Sequence, residues 1–230
     1  MKFRNNINYF KKKDVIKSIG IVLLVLGAIL LFVNFGYISW ILMILFISSG
    51  FLMSIIGSII SSNEGDMDEY ISRECMGLEL DLEEDKDFSK RILKNVAPNI
   101  TQGYEYSGEG LMFRKDKKGS WRSSKYTKSV IYVLSDALYI NSRTISLISD
   151  EVENKLFEIA YDTMDSVEIK REENRIVVGK NSFKLNKDRL VIKYREGKTF
   201  CAPMNNDIKS EEFVDMLNKL ILSAKKQKEE

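Results

Sequence analysis

SIGIVLLVLGAILLFVNFGYISWILMILFISSGFLMSIIGSIISSN, residues 18–63, contains no Lys, Arg, Asp or Glu, in a chain that is 30% charged overall. Two apolar runs fill it, 18–33 and 37–60, parted only by Asn34-Phe35-Gly36. As a helix the second run is about 36 Å long, enough to cross a bilayer core with some tilt. The first run reaches sufficient length if Val15 and Ile16 enter the membrane and Lys17 snorkels to the headgroups. Hydrocarbon offers the backbone no hydrogen-bond partners, so each run is expected to be helical. The short link then allows only an antiparallel hairpin.

Flanking charge sets the expected orientation. Lys2, Arg4, Lys11, Lys12, Lys13 and Lys17 precede the first run against one acid, Asp14, and the link carries no charge. Positive charge stays on the cytoplasmic side, which predicts a multi-pass plasma-membrane protein with both termini cytoplasmic and residues 34–36 outside. Tyr37 and Trp40 fall where the outer aromatic belt would lie, and Tyr9 and Phe10 suit the inner one. A cleavable signal peptide is the rival reading of the first run. No A-x-A-like site follows it and a second span comes at once, which favours an anchor.

Gly50, Ser54 and Ser58 recur every four residues on the second run, with Gly20, Gly27 and Ala28 on the first. Small residues at this spacing let membrane helices approach closely. They serve either packing within the hairpin or a self-association face. Neither span holds an ionisable residue, so nothing marks an ion or substrate pathway.

Composition argues against several chemistries. The chain has no histidine, which removes the commonest general base and metal ligand. Cys75 and Cys201 are far apart, form no zinc-type ligand set and are expected as free thiols in a reducing cytoplasm. Cys75 lies near the membrane, where acylation is the alternative to an idle thiol. No G-x-x-x-x-G-K-[ST], G-x-S-x-G or G-x-G-x-x-G pattern occurs, and no S-x-x-K context supports a Ser–Lys pair. These readings predict a protein that is not an enzyme and takes no cofactor.

Residues 61–103 turn strongly acidic, from Glu64 through Asp87, against Arg73 and Lys86. Met67, Ile71, Cys75 and Leu78 suggest one short helix, and Phe88, Ile92 and Val96 a second that Pro98 closes. Asp81-x-Glu83-x-Asp85 lacks the glycine that an EF-hand loop requires, so a solvated acidic connector is the better account of it. Such a connector either holds the following domain off anionic lipid or pairs with a basic face.

From Tyr104 the period changes to two. Residues 130–134 and 137–141 read as a hairpin about Ser135-Asp136. Residues 156–161 and 166–170 read as a second pair, 175–178 and 182–185 as a third, and 190–194 and 199–202 as a fourth. Short strands joined by tight polar turns predict an antiparallel sandwich or barrel. Phe213, Met216, Leu217, Leu220 and Ile221 then mark a helix with one apolar stripe, with Ser210 as N-cap and a fraying charged tail at 224–230.

Roughly seven strands followed by one amphipathic helix is the order of a pleckstrin-homology-type barrel. VIYVLSDALYI (130–140) and FEIAYDTMDSVEI (157–169) resemble two segments of the bacterial pleckstrin-homology-like and GRAM-like group, and residues 211–221 resemble its terminal helix. The resemblance covers about 104–223 and departs from the group after Asp136, where Ala137 and Leu138 replace a frequent basic pair. It implies a membrane-anchored α+β protein: two transmembrane helices, a helical connector, then a barrel or sandwich capped by a helix. It implies a binding module for lipid headgroups, peptides or other copies of itself.

One constellation carries binding chemistry. Arg114, Lys115, Lys117, Lys118, Arg122, Lys125 and Lys128 crowd one stretch, with Trp121 and Tyr126 among them. In the resembling lipid-binding domains, phosphate-coordinating cations occupy this region. Here the expected Lys-x-Arg is absent, and Arg122 and Lys125 are expected on opposite faces of one strand. The alternatives are an anionic phospholipid site and a solvated hairpin that pairs with the acidic connector. A net charge of only +2 and the lack of a stacking platform argue against nucleic acid. The expected work is non-catalytic scaffolding with a protein partner or a homo-oligomer; anionic-lipid sensing is the alternative.

Overall fold

The computed structural model describes the chain except residues 1–2, 12–14, 31, 33–36, 61–63, 80–85, 196 and 230, and gives the backbone alone at 4–5, 15, 58–60, 86–87 and 229. It is a mixed α+β protein with antiparallel sheets, divided into two compact units, 1–68 and 69–230. The inter-helix link at 34–36 and the Asp81-x-Glu83-x-Asp85 segment lie outside the described residues.

The first unit holds α1 (Arg4–Phe10), α2 (Val15–Leu30) and α3 (Tyr37–Ile60). Helix α3 covers the second apolar run, and by length and composition it is the one described helix able to cross a membrane. Helix α2 has 16 residues, so it is about 24 Å long against a hydrocarbon core of about 30 Å. It includes Val15, Ile16 and Lys17.

The two helices pack through their small residues. A Cβ on Gly50 would lie 2.8 Å from the Gly20 carbonyl oxygen and 2.9 Å from the Leu24 nitrogen. One on Gly20 would lie 2.6 Å from Ser54 Oγ, and one on Gly57 would lie 2.8 Å from the Lys17 nitrogen. Gly50 and Ser54 thus face α2 within the hairpin, while the Ser58 side chain lies outside the described atoms. Because the obstacles are mostly backbone, Gly50→Leu is expected to push α2 and α3 apart. Cysteines introduced at Gly27 and Ile47 should then stop cross-linking within one chain, and undiminished cross-linking would contradict this packing.

The second unit begins in α4 (Glu64–Glu74), which crosses the boundary, and α5 (Lys86–Arg91). A four-stranded antiparallel sheet follows in the order β1-β4-β5-β6: β1 (Asn99–Tyr104), β4 (Lys125–Val133), β5 (Ala137–Ser146) and β6 (Val152–Ala160). Between β1 and β4 the chain inserts a small hairpin, β2 (Phe113–Lys115) and β3 (Trp121–Ser123). A second sheet contains β7 (Met164–Val178), β8 (Asn181–Tyr194) and β9 (Lys198–Pro203), and α6 (Ile208–Glu229) closes the chain. The main core lies between the sheets: Ile131, Ile140 and Ile159 from one, Val167, Ile192 and Phe200 from the other, and Phe213, Leu217 and Ile221 from α6.

Several sequence-based expectations need correction. The barrel is not closed, because among the described residues the four-stranded and three-stranded sheets share no hydrogen-bonded strand pair. Residues 156–161 and 166–170 do not pair. A 3-10 turn at Tyr161–Thr163 carries the chain from one sheet to the other, with β6 on β5 and β7 on β8. The turn is anchored by the buried Tyr161 hydroxyl, which donates to the Leu134 carbonyl oxygen at 3.0 Å. The short strands expected at 166–170 and 175–178 are one strand, as are those at 182–185 and 190–194. Arg171, Glu173, Asn186 and Lys187 between them are exposed on a long two-stranded arm, where Arg171–Asp188 and Lys184–Glu173 pair across the strands at 3.0 Å. Gly179, at φ +63°, supplies the left-handed conformation that the two-residue turn of this arm requires. Asp207, not Ser210, caps α6, its Oδ1 accepting the Ser210 amide at 2.9 Å. Helix α6 runs on to Glu229, and Lys228 pairs with Asp162 at 2.9 Å, so the tail is helical.

The connector also differs from a solvated spacer. Helix α5 ends at Arg91, and Ile92 bridges to Leu134. Tyr70, Ile71, Cys75, Leu78 and Phe88 are buried. The Tyr132 hydroxyl donates to the Glu79 carbonyl at 2.9 Å, and Arg143 Nη1 donates to that of Glu74 at 2.6 Å. The Phe88 ring meets Tyr132 and Tyr139 edge-on, with centroids 5.6 and 4.8 Å apart. The connector is therefore a third layer, lying on the face of the four-stranded sheet that points away from the main core. Folding of the domain starts about thirty residues earlier than the strand pattern indicated.

Candidate functional site

The basic constellation sits mostly on the inserted hairpin. Its turn is built by Asp116, whose Oδ1 accepts the Lys118 and Ser120 amides at 2.9 and 2.8 Å. Burial pushes the Asp116 carboxyl up, but these amides and Arg122 outweigh it and hold the carboxyl below its ordinary range. The hairpin leans on the β7–β8 arm, with the Trp121 ring 5.0 Å from that of Phe183. It is tied back by the Tyr106 hydroxyl, which donates to the Trp121 carbonyl at 2.5 Å, and burial pushes that phenol up to about 12.

The seven cations do not converge. Arg122 faces Asp116 at 3.6 Å, with their side chains only 14% and 9% exposed, and lies 5.7 Å from the Tyr104 ring centre. Lys115 lies over the Trp121 ring at 5.2 Å. Lys128 pairs with Glu79 of the connector at 2.8 Å. Lys125 is on the opposite face of β4 from Lys128, toward the space between the sheets. Arg114 is half-buried on β2, in register with Arg122, and Lys117 and Lys118 are exposed at the turn. Arg122 and Lys125 stand on separate strands, β3 and β4, rather than on opposite faces of one. Trp121 and Tyr126 are no stacking platform, because Trp121 packs on Phe183 and Tyr126 on Tyr104.

Sequence reasoning missed the polar half of the interior. Along the inner face of β4 and β5, Ile131 and Ile140 give way to Ser129 and Ser142, then to Thr127 and Thr144. The Ser129 hydroxyl donates to Ser142 Oγ at 2.8 Å, and the threonine hydroxyls meet at 2.9 Å. Arg189 on β8 donates to Glu105 at 2.8 Å, 84 residues away in sequence. The alternating hydroxyls at 127, 129, 142 and 144 carried a signal for this face, whereas nothing in the sequence paired Glu105 with Arg189.

Two cavities open along this polar end. One of about 250 Å³ is lined by Thr127, Ser142, Thr144 and the Glu105–Arg189 pair. The other, about 650 Å³, is lined by Glu109, Glu151 and Glu153 against Lys125 as its one cation, with Ser124, Ser146, Leu111 and Ile148. The Lys155 ammonium, 2.8 Å away, holds the Glu153 carboxyl below its usual range. A phosphate entering the larger cavity would meet three carboxylates.

Burial pushes both thiols up, Cys75 within the connector layer and Cys201 on β9, which keeps them protonated near neutral pH. Among the described residues no three His, Cys, Asp or Glu side chains gather to hold a metal ion. No protein-family model, curated protein or solved structure matches this chain.

Proposed function

We propose that the chain is a non-catalytic, membrane-tethered interaction module, its domain held at the cytoplasmic face by the α2–α3 hairpin. A four-stranded sheet, a three-stranded sheet and a C-terminal helix in this order support the pleckstrin-homology-like reading of the domain. The helical state of Val15 and Ile16 supports a second span, with Lys17 snorkelling and the bilayer thinning to meet the shorter helix. Charge placement favours protein interaction over lipid sensing: Arg122 and Lys128 already face Asp116 and Glu79, and the larger of the two cavities at the polar end is lined by Glu109, Glu151 and Glu153. The lipid alternative rests on Lys117 and Lys118, exposed at the hairpin turn.

The test uses residues 64–230 with vesicles of neutral lipid and of phosphatidylglycerol. The module reading expects weak binding to both, changed little by Lys117→Glu/Lys118→Glu. Tight binding to the anionic vesicles that salt and this charge reversal both abolish would replace it by headgroup recognition. In the full chain carrying Cys201→Ser, an impermeant thiol reagent on intact cells should label Phe35→Cys and spare Asn5→Cys and Lys225→Cys. Labelling of Lys225→Cys would place the domain outside.

A further inference from the structure

Strand β6 ends the four-stranded sheet: it pairs with β5 on one side and with no described strand on the other. Residues 152–156 are exposed. On the face away from the core this segment presents Val152, Asn154 and Leu156, with Val152 44% and Leu156 64% exposed. On the inner face it presents Glu153 and Lys155, whose side chains pair at 2.8 Å and are each 53% exposed. An open edge invites pairing with another strand, and charges normally discourage it by mismatching whatever arrives.

Here the edge matches itself. Two antiparallel copies related by a two-fold axis through Asn154 bring Glu153 opposite Lys155 of the second copy, twice. The same register puts Val152 opposite Leu156, also twice, and Asn154 opposite Asn154. Opposite charges and apolar pairs directly across a ladder stabilise it, and like charges oppose it. Moving the axis to residue 153 or 155 sets Glu against Glu or Lys against Lys. Of these three registers the one through Asn154 is selected, and the contact is isologous, so it closes at a dimer.

We propose that a second copy of this chain docks on β6 and that the two four-stranded sheets join into one continuous sheet across the two-fold. The inference names one partner for the interaction module proposed above and rests on that reading for its purpose. Its failure leaves the module free to bind another protein elsewhere, whereas tight headgroup binding would overturn the module and leave this pairing intact.

The test is cross-linking of the full-length protein in nanodiscs, in a Cys201→Ser background. Directly opposed strand residues have Cα atoms about 4.5–5.5 Å apart, within reach of a disulfide. Asn154→Cys should therefore oxidise to a covalent dimer, and so should a mixture of Val152→Cys and Leu156→Cys chains. Leu156→Cys alone and Lys180→Cys at the tip of the β7–β8 arm should not. Glu153→Lys should weaken the uncross-linked dimer about tenfold by setting Lys against Lys twice. Glu153→Lys/Lys155→Glu, which reverses both charges and keeps every pair opposite in sign, should restore it. Absence of a dimer overturns the proposal, as does Asn154→Cys cross-linking no faster than Lys180→Cys, or a double variant no better than the single.

Discussion

A chain beginning at Asn99, which keeps every strand and α6 but lacks the connector, is expected to lose cooperative unfolding, whereas residues 64–230 keep it. The reason lies on the outer face of the four-stranded sheet. Val130 and Tyr132 are 0% and 1% exposed with the connector in place, and they point away from the main core. Without the connector these side chains meet water, and the Tyr132 hydroxyl, Asn141 amide and Arg143 guanidinium lose carbonyl partners. Burial of Leu78 and Phe88 alone is worth about 3–6 kcal/mol, against a total stability of about 5–15 kcal/mol for a typical domain. Phe88→Ala in the longer chain should cost about 3–5 kcal/mol, since its ring sits between two tyrosines. Urea unfolding followed by circular dichroism checks both. Equal midpoints for the two chains would mean that the connector adds nothing to the domain.

Leu217→Ala should destabilise the domain by about 2–5 kcal/mol. Leu217 is fully buried at the centre of the α6 stripe, where both sheets and the helix meet. Relaxation cannot fill the gap easily, because α6 is tied to the rest of the domain at the next residue and again near its end. The Asn218 amide donates to the Val167 carbonyl at 3.0 Å and accepts the Val167 amide at 3.4 Å. Lys228 is bound to Asp162 further along. Leu222→Ala provides the contrast: that side chain is 61% exposed, and its loss should stay within about 0.5 kcal/mol. Similar chemical-denaturation midpoints for the two variants would mean that α6 is not docked as described.

The candidate site was only partly legible beforehand. Which residues carry positive charge was plain, and so was their place between the first strand and the next. Their failure to converge was not. Arg122 meets Asp116 across the hairpin turn, and Lys128 meets Glu79, 49 residues back along the chain. Composition records a charge but not the neighbour that neutralises it. The self-matching edge of β6 shows the reverse case. The alternation Val-Glu-Asn-Lys-Leu is written in the sequence, yet it acquires meaning only once β6 is known to end its sheet.

By itself the sequence determined whatever depends on neighbours along the chain. The charge-free run marked α3 as a helix, since an unbroken apolar run of 24 residues is long enough to cross a bilayer only as one. Period-two runs marked β4, β5 and β9, and the apolar stripe marked α6, because burial on one face leaves its spacing in the residues. Only the tertiary structure decided that β6 and β7 part into different sheets, that β1 pairs with β4, that the barrel stays open, that 171–174 and 186–188 continue strands rather than break them, and that an acidic connector is a packed layer. Each of these depends on a partner on another segment, most of them far away in sequence. The free energy of such a contact belongs to the pair, and neither segment carries it alone.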